Sequence, residues 1–187
     1  MKNRIILAAA EEIYFHGLKF TMNDLAKRLN LSKTTLYEYF ASKNDLIHCL
    51  IITAHKDIKA QEDAIYLDDE MPIPEKLQAL ISITPKIYGP AVNRRFFDDL
   101  LRHYPDEAQI MEKFDQEKLT RLTALIEQAI NSNALRPINL HVLRHLVNAT
   151  ANGLFTYRFL ADNNMTLGDV LSALSDIVVY GMIPHKE

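Results

Sequence analysis

An all-α fold is what this sequence predicts, and three observations carry the prediction. Apolar residues recur at spacings of three and four along most of the chain, with no sustained strand alternation. Glycine is scarce, at five in 187 residues, so the turns that join many short strands are missing. Between Thr21 and Lys43 two short helical patterns are separated by a tight turn. The expected architecture is a three-helix head, residues 1–46, followed by a helical body, residues 47–187, with about nine helices in all.

The head is built from helices near 2–16, 22–29 and 33–39. Thr21 is a good N-cap for the second, and Asp24 in its first turn suits the positive end of the helix dipole. Leu25, Ala26 and Leu29 form its inward stripe, and the small Ala26 lets the next helix cross closely. Asn30 tolerates the left-handed conformation that ends a helix, and Leu31 plugs the turn. Ser32 caps the third helix, whose Leu36 and Phe40 point inward four residues apart. Lys33, Thr34, Thr35, Tyr37 and Tyr39 are left on or near the outward face. Ser42 caps a fourth helix that runs to about Tyr66 and joins head to body.

Two short helices joined this way, the second crowded with hydroxyls, a lysine and tyrosines, read as a helix-turn-helix whose second helix fits a DNA major groove. Lys33, Thr34 and Thr35, following the cap Ser32, are expected at base edges and adjoining phosphates. Tyr37 and Tyr39 are expected to reach phosphates through their hydroxyls. Thr21 and Lys43 stand at helix N-termini, where backbone N–H groups also favour phosphate.

From about Ile5 to Leu50 the chain resembles the TetR family of transcriptional regulators. The resemblance rests on Ala8-Ala9, Gly17, Thr21, Leu25-Ala26, Ser32, Thr35-Leu36-Tyr37, Tyr39-Phe40 and Ser42-Lys43, in matching order and spacing. Asn30 stands where the family has Gly, Ile13 where an aromatic is common, and Glu12 where Leu is common. Glu38 in the recognition helix is a departure in charge: phosphates repel it, although a carboxylate can accept from a cytosine amino group.

In the body, helices are expected from Glu75 to about Tyr88, with Pro85 kinking or ending it early. Others follow at about 91–103, from about Asp106 to Asn131, at 140–161 and at 167–182. The resemblance implies that the last two helices pair with their copies in a homodimer. Ala149, Ala151 and Gly153 allow close approach, and Val170, Leu171, Leu174, Ile177, Val178 and Met182 supply apolar surface. It also implies a pocket for an unknown small-molecule effector among the fifth to eighth helices. The candidate lining is Tyr88, Phe96, Phe97, His103, Tyr104, Phe114, Phe155 and Phe159, with Asn148 and Asn152 as polar groups four residues apart.

The function expected is a dimeric repressor on a double-stranded DNA operator, released when an effector shifts the fourth helix and changes the spacing of the heads. The alternative is an adaptor of the same fold whose body binds a protein. Charge is distributed accordingly: residues 1–48 hold seven Lys and Arg against five Asp and Glu, the remainder fourteen against nineteen. No nucleophile elbow, phosphate loop or paired carboxylates point to an enzyme, and no cofactor is implied. His141 and His145 share a helical face, but no third ligand accompanies them, so no metal is expected. Cys49, the single cysteine, excludes an intramolecular disulfide. No apolar run approaches a membrane span, and a cytoplasmic location is expected.

Overall fold

The computed structural model describes residues 1–86, 94–154 and 157–184. The described residues form helices α1 (Lys2–His16), α2 (Met22–Leu29), α3 (Lys33–Tyr39), α4 (Lys43–Tyr66), α5 (Ile73–Ser82), α6 (Arg94–His103), α7 (Pro105–Asn131), α8 (Leu140–Leu154), α9 (Tyr157–Asp162) and α10 (Leu167–Tyr180). A 3₁₀ turn, Gly17–Lys19, links α1 to α2. No strand occurs among them.

The chain divides into two compact units. The first is Met1–Ile58 with Pro85–Glu112, the second Lys59–Thr84 with Lys113–Glu187. Helix α6 therefore lies in the same unit as the three helices of the head. Its contact there is with the 3₁₀ turn.

Local chemistry sets the boundaries of the first unit. Gly17 has φ 62° and ψ −158°, a conformation open essentially to glycine. It ends α1 and turns Leu18 and Phe20 into the core. The Thr21 hydroxyl accepts from the Asp24 N–H at 3.2 Å, and the Thr21 N–H donates back to the Asp24 carboxylate at 2.9 Å, a closed capping box. Asn30 takes the left-handed conformation expected of it, φ 53° and ψ 43°. Ser32 caps α3 through the Thr35 N–H at 3.0 Å. Ser42 caps α4 through the Asp45 N–H at 3.1 Å. Ile5, Ala9, Leu25, Leu36, Phe40, Leu46 and Ile47 are fully buried. At roughly 25 cal/mol per Å² of apolar surface, that burial is what holds three such short helices together.

In the second unit α5 packs on α10, and Leu77, Ile126, Ala129, Leu135, Leu174, Val178, Val179 and Met182 form one core. The loop after α7 is tied to the end of α10 by the Arg136 N–H, which donates to the Met182 carbonyl at 3.0 Å. Helix α5 ends at Ser82, short of the Tyr88 the sequence suggested. Pro85 acts ahead of itself: it lacks the N–H that would bond back to residue 81, and it biases Thr84 to extended backbone. Of the segment read as one helix over 140–161, Leu140–Leu154 and Tyr157–Asp162 are helical, and residues 155 and 156 lie outside the described residues.

Candidate nucleic-acid interface

On α3 the buried Leu36 fixes which side faces out. At 100° per residue, Thr34 and Glu38 lie opposite it, flanked by Lys33, Thr35, Tyr37 and Tyr39. Lys33, Thr34, Tyr37, Glu38 and Tyr39 are exposed and Thr35 is half-buried. Tyr37 remains 47% exposed, a large aromatic held in solvent by a helix whose other face is fully packed. The result is a hydroxyl-rich convex face about two turns long, of a size that fits a major groove.

The hydroxyls are not equally available. Thr21 Oγ1 donates its one proton to Asp24 Oδ2 at 2.6 Å, so its side chain is committed to the cap of α2. Those hydrogen bonds hold the Asp24 carboxyl below its usual range, with its charge in the first turn of α2. Ser32 Oγ and Thr35 Oγ1 lie 2.8 Å apart and share a hydrogen bond, so that pair offers fewer free protons than two separate hydroxyls. Thr34, Tyr37 and Tyr39 carry no such commitment among the described residues.

The Lys43 ammonium is turned toward the backbone that precedes α2. It donates to the carbonyl of Leu18 and, at 2.6 Å, to that of Phe20, and it sits 4.4 Å from the centroid of the Phe20 ring. Burial pushes its pKa below the usual lysine range. Arg28 is likewise engaged within the head, although it stays exposed. It donates to Glu12 at 3.0 Å and, by a shorter contact, to Glu11, joining α2 to α1. The charge at Glu12 thereby has a partner 16 positions along the chain, which sequence spacing alone did not disclose.

The proposed effector lining divides between the units. Phe96 of α6 and Tyr104, just past its end, are buried in the first, as is Leu100 midway between them. His103 is exposed. Phe114 and Phe159 belong to the second unit and are half-buried. Tyr88 and Phe155 lie outside the described residues, as do the side chains of Phe97, Asn148 and Asn152. Phe159 does line a cavity of about 300 Å³, with Leu146, Thr150, Met165, Leu174 and Ile177 among its other walls.

The second unit also holds a partly buried charge cluster that the sequence did not reveal. Arg121 of α7 donates to Glu62 at 3.2 Å and to Asp63 at 2.7 Å, both on α4, and lies 4.3 Å from the Tyr66 ring centroid. Glu62 is buried, and its Oε1 has no hydrogen-bond partner. Burial pushes the Tyr66 phenol up to about 12 and lowers the Lys118 ammonium against the pull of Glu62. No group of three or more metal-ligating side chains occurs among the described residues. None of the described helices is long and apolar enough to cross a membrane.

Residues 5–50 match the sequence model of bacterial regulatory proteins of the tetR family. Over the whole chain, an HTH-type transcriptional regulator of Bacillus subtilis strain 168, YvaF, is 26% identical across 187 residues, covering 100% of this chain and 98% of its own length. Among solved structures, the TetR family regulator PfmR from Thermus thermophilus superposes with a TM-score of 0.71 at 21% identity, covering 95% of this chain and 97% of that one. The ketosteroid transcriptional regulator KstR2 of Mycobacterium tuberculosis superposes at 0.70 with 19% identity, covering 98% and 95%.

Proposed function

The chain belongs to the TetR family of transcriptional regulators, and from that premise we propose that it is a dimeric repressor released from its operator by a small molecule. The observation that carries DNA recognition is the outward face of α3, with Lys33, Thr34, Tyr37 and Tyr39 in solvent while Leu36 is fully buried. Lys33 and Thr34 read base edges, with Thr35 at the margin, and the tyrosine hydroxyls fix register on phosphates. The backbone N–H groups at the start of α4 add a phosphate contact that needs no side-chain charge.

Dimer formation is supported by an apolar face in the second unit. Val142 and Leu146 on α8, and Ile177 and Tyr180 on α10, are all exposed, Ile177 by 74%. Each pair is spaced to share one side of its helix, and exposed apolar side chains at this density mark an interface. A dimer carries two α3 helices, which matches a two-fold site whose half-sites lie one helical turn apart.

Regulation by a ligand is supported by the buried polar groups of the second unit. Glu62 Oε1 has no partner, although a buried acceptor left so costs about 1–3 kcal/mol. A ligand donor reaching it recovers that cost, and it touches α4, the helix whose first residue reaches the turn before α2. Binding that favours one position of α4 shifts the population of DNA-competent heads. Such a regulator works in the cytoplasm, beside the DNA.

The test is selection of random duplex DNA by the purified protein, followed by the stoichiometry of the complex. Enrichment of a two-fold symmetric sequence bound by an even number of subunits supports the proposal. A folded, dimeric protein that enriches nothing removes it.

A further inference from the structure

Lys43 opens α4 beside its N-terminus, a position from which a cation reaches DNA phosphate. Its ammonium points the other way. Two of its three protons go to the carbonyls of Leu18 and Phe20, and the Phe20 ring supplies a cation–π contact at 4.4 Å. Leu18 and Phe20 are both buried, and Phe20 immediately precedes Thr21, the N-cap of α2. The two carbonyls thus belong to the short stretch of backbone between α1 and the helix-turn-helix.

The surroundings favour this arrangement. The carboxylates of Asp24, at the start of α2, and of Asp99, on α6, both act electrostatically to keep the Lys43 ammonium charged against the cost of burial. Asp99 Oδ2 is itself buried without a hydrogen-bond partner. It sits on the helix that packs against the 3₁₀ turn. Releasing Lys43 to a phosphate leaves two carbonyls unpaired and a buried carboxylate with less compensating charge, so the inward position is the one the protein holds.

We propose that Lys43 is a positioning residue for DNA recognition: its ammonium straps the start of α4 to the turn before α2 and so sets where the α2–α3 pair stands, without itself contacting phosphate. The inference rests on the DNA-binding function proposed above. It makes α4 more than a connector, because a movement of its first turn is delivered by this strap to the carbonyls that lead into Thr21.

The experiment uses the full-length protein, the duplex it enriches from a random library, and a scrambled duplex of equal length and composition. Lys43→Met keeps the stem against Phe20 and removes the donors. Lys43→Gln removes the charge but keeps an N–H donor. Lys43→Met is expected to weaken binding to the enriched duplex about tenfold, the order of one charge-assisted hydrogen bond. It should leave the scrambled duplex and the slope of log affinity against log salt unchanged, with Lys43→Gln recovering part of the loss. A slope reduced by about 0.9 per head, with equal loss on both duplexes, identifies a phosphate ligand and overturns the proposal. Unchanged affinity for the enriched duplex overturns it too, by reducing the strap to a stabilising contact. If circular dichroism shows that Lys43→Met does not fold, Lys43→Gln decides alone: loss confined to the enriched duplex supports positioning, equal loss on both refutes it. A wild-type protein that enriches no duplex removes the regulator function itself, and the strap's role with it.

Discussion

Replacing Arg28 by Met should destabilise the protein through a residue the substitution does not touch. Glu12 is 6% exposed, a carboxylate inside the α1–α2 contact. Arg28 Nη1 meets its Oε1 at 3.0 Å. The second terminal guanidinium nitrogen goes to Glu11, which is exposed. The His16 imidazole lies 3.7 Å from the other Glu12 oxygen. Removing one partner of a wholly buried pair costs about 3–5 kcal/mol. Here the Arg28 side chain is 36% exposed, so water reaches the gap. The cost expected is therefore about 2 kcal/mol, which for a chain of this length lowers Tm by roughly 4–8 °C.

The cycle that tests the reasoning adds Glu12→Leu and the double variant. Glu12→Leu alone leaves Arg28 paired with Glu11 in solvent and places an apolar side chain of similar volume in the contact, so it should be neutral or stabilising. The double variant should return to wild-type stability or above, because nothing charged is then left buried. Thermal unfolding followed by circular dichroism, all four proteins at one concentration so that dimerisation is held fixed, gives the coupling. A Tm for Arg28→Met within about 1–2 °C of wild type, or a double variant no better than Arg28→Met, refutes the reasoning and marks the pair as a surface bridge of little worth.

Three further outcomes follow from the same structure. Hydrogen bonds from Thr21 and Thr166 hold Asp24 and Asp169 below the ordinary carboxylate value of 3.8. A group whose folded pKa is depressed stabilises above its unfolded pKa and loses that contribution as pH falls through the folded one. The wild type should therefore lose helicity on titration below pH 3.8, and Asp24→Asn with Asp169→Asn should flatten that part of the curve. Ile177→Arg should yield monomers in sedimentation, whereas Leu67→Arg, at a site 79% exposed outside the α8 and α10 face, should remain dimeric; dimeric Ile177→Arg would move the interface elsewhere. Glu38→Gln removes the carboxylate opposite Leu36 and should tighten binding to scrambled duplex about threefold, since a charge roughly 6 Å from a phosphate costs ~0.7 kcal/mol in water. No change there, measured by anisotropy, would mean that Glu38 stays clear of the DNA backbone.

What the sequence disclosed was local, and what it concealed was tertiary. Thr21, Asn30, Ser32 and Ser42 act on N–H groups and backbone angles within three residues of themselves, so the three helices of the head were legible to the residue. Pro85 announced that α5 would stop before Tyr88, because it offers no N–H to the carbonyl four positions earlier and restricts Thr84, but it did not mark Ser82 as the last helical residue. The chemistry of the charged groups was hidden. Lys43 bonds to carbonyls 25 and 23 positions back, and Arg121 pairs with residues 59 and 58 positions away. Residue type announces a charge, but only the packed helices decide whether it is spent inside or offered outward.

That distinction limits how strongly the protein should respond to salt. Of the seven Lys and Arg in residues 1–48, Arg28 and Lys43 are committed to internal partners, and the Lys2 ammonium lies 5.2 Å from the centroid of the Phe40 ring. Lys2 and Arg28 stay exposed despite those contacts, and Arg4, Lys19, Lys27 and Lys33 are exposed with no hydrogen bond or ring contact of that kind among the described residues. If all four of these met phosphate in each head of a dimer, eight cations would release counterions, and log affinity would fall against log salt with a slope no steeper than about −7. Full use of every cation in both heads would give about −13. Titration of the enriched duplex from low to physiological salt separates the two. A slope shallower than about −7 agrees with a head that takes its register from hydroxyls, backbone N–H groups and shape. A slope near about −13 would mean that DNA draws Arg28 and Lys43 out of the protein, leaving Glu12 and the turn before Thr21 unpaired in the complex.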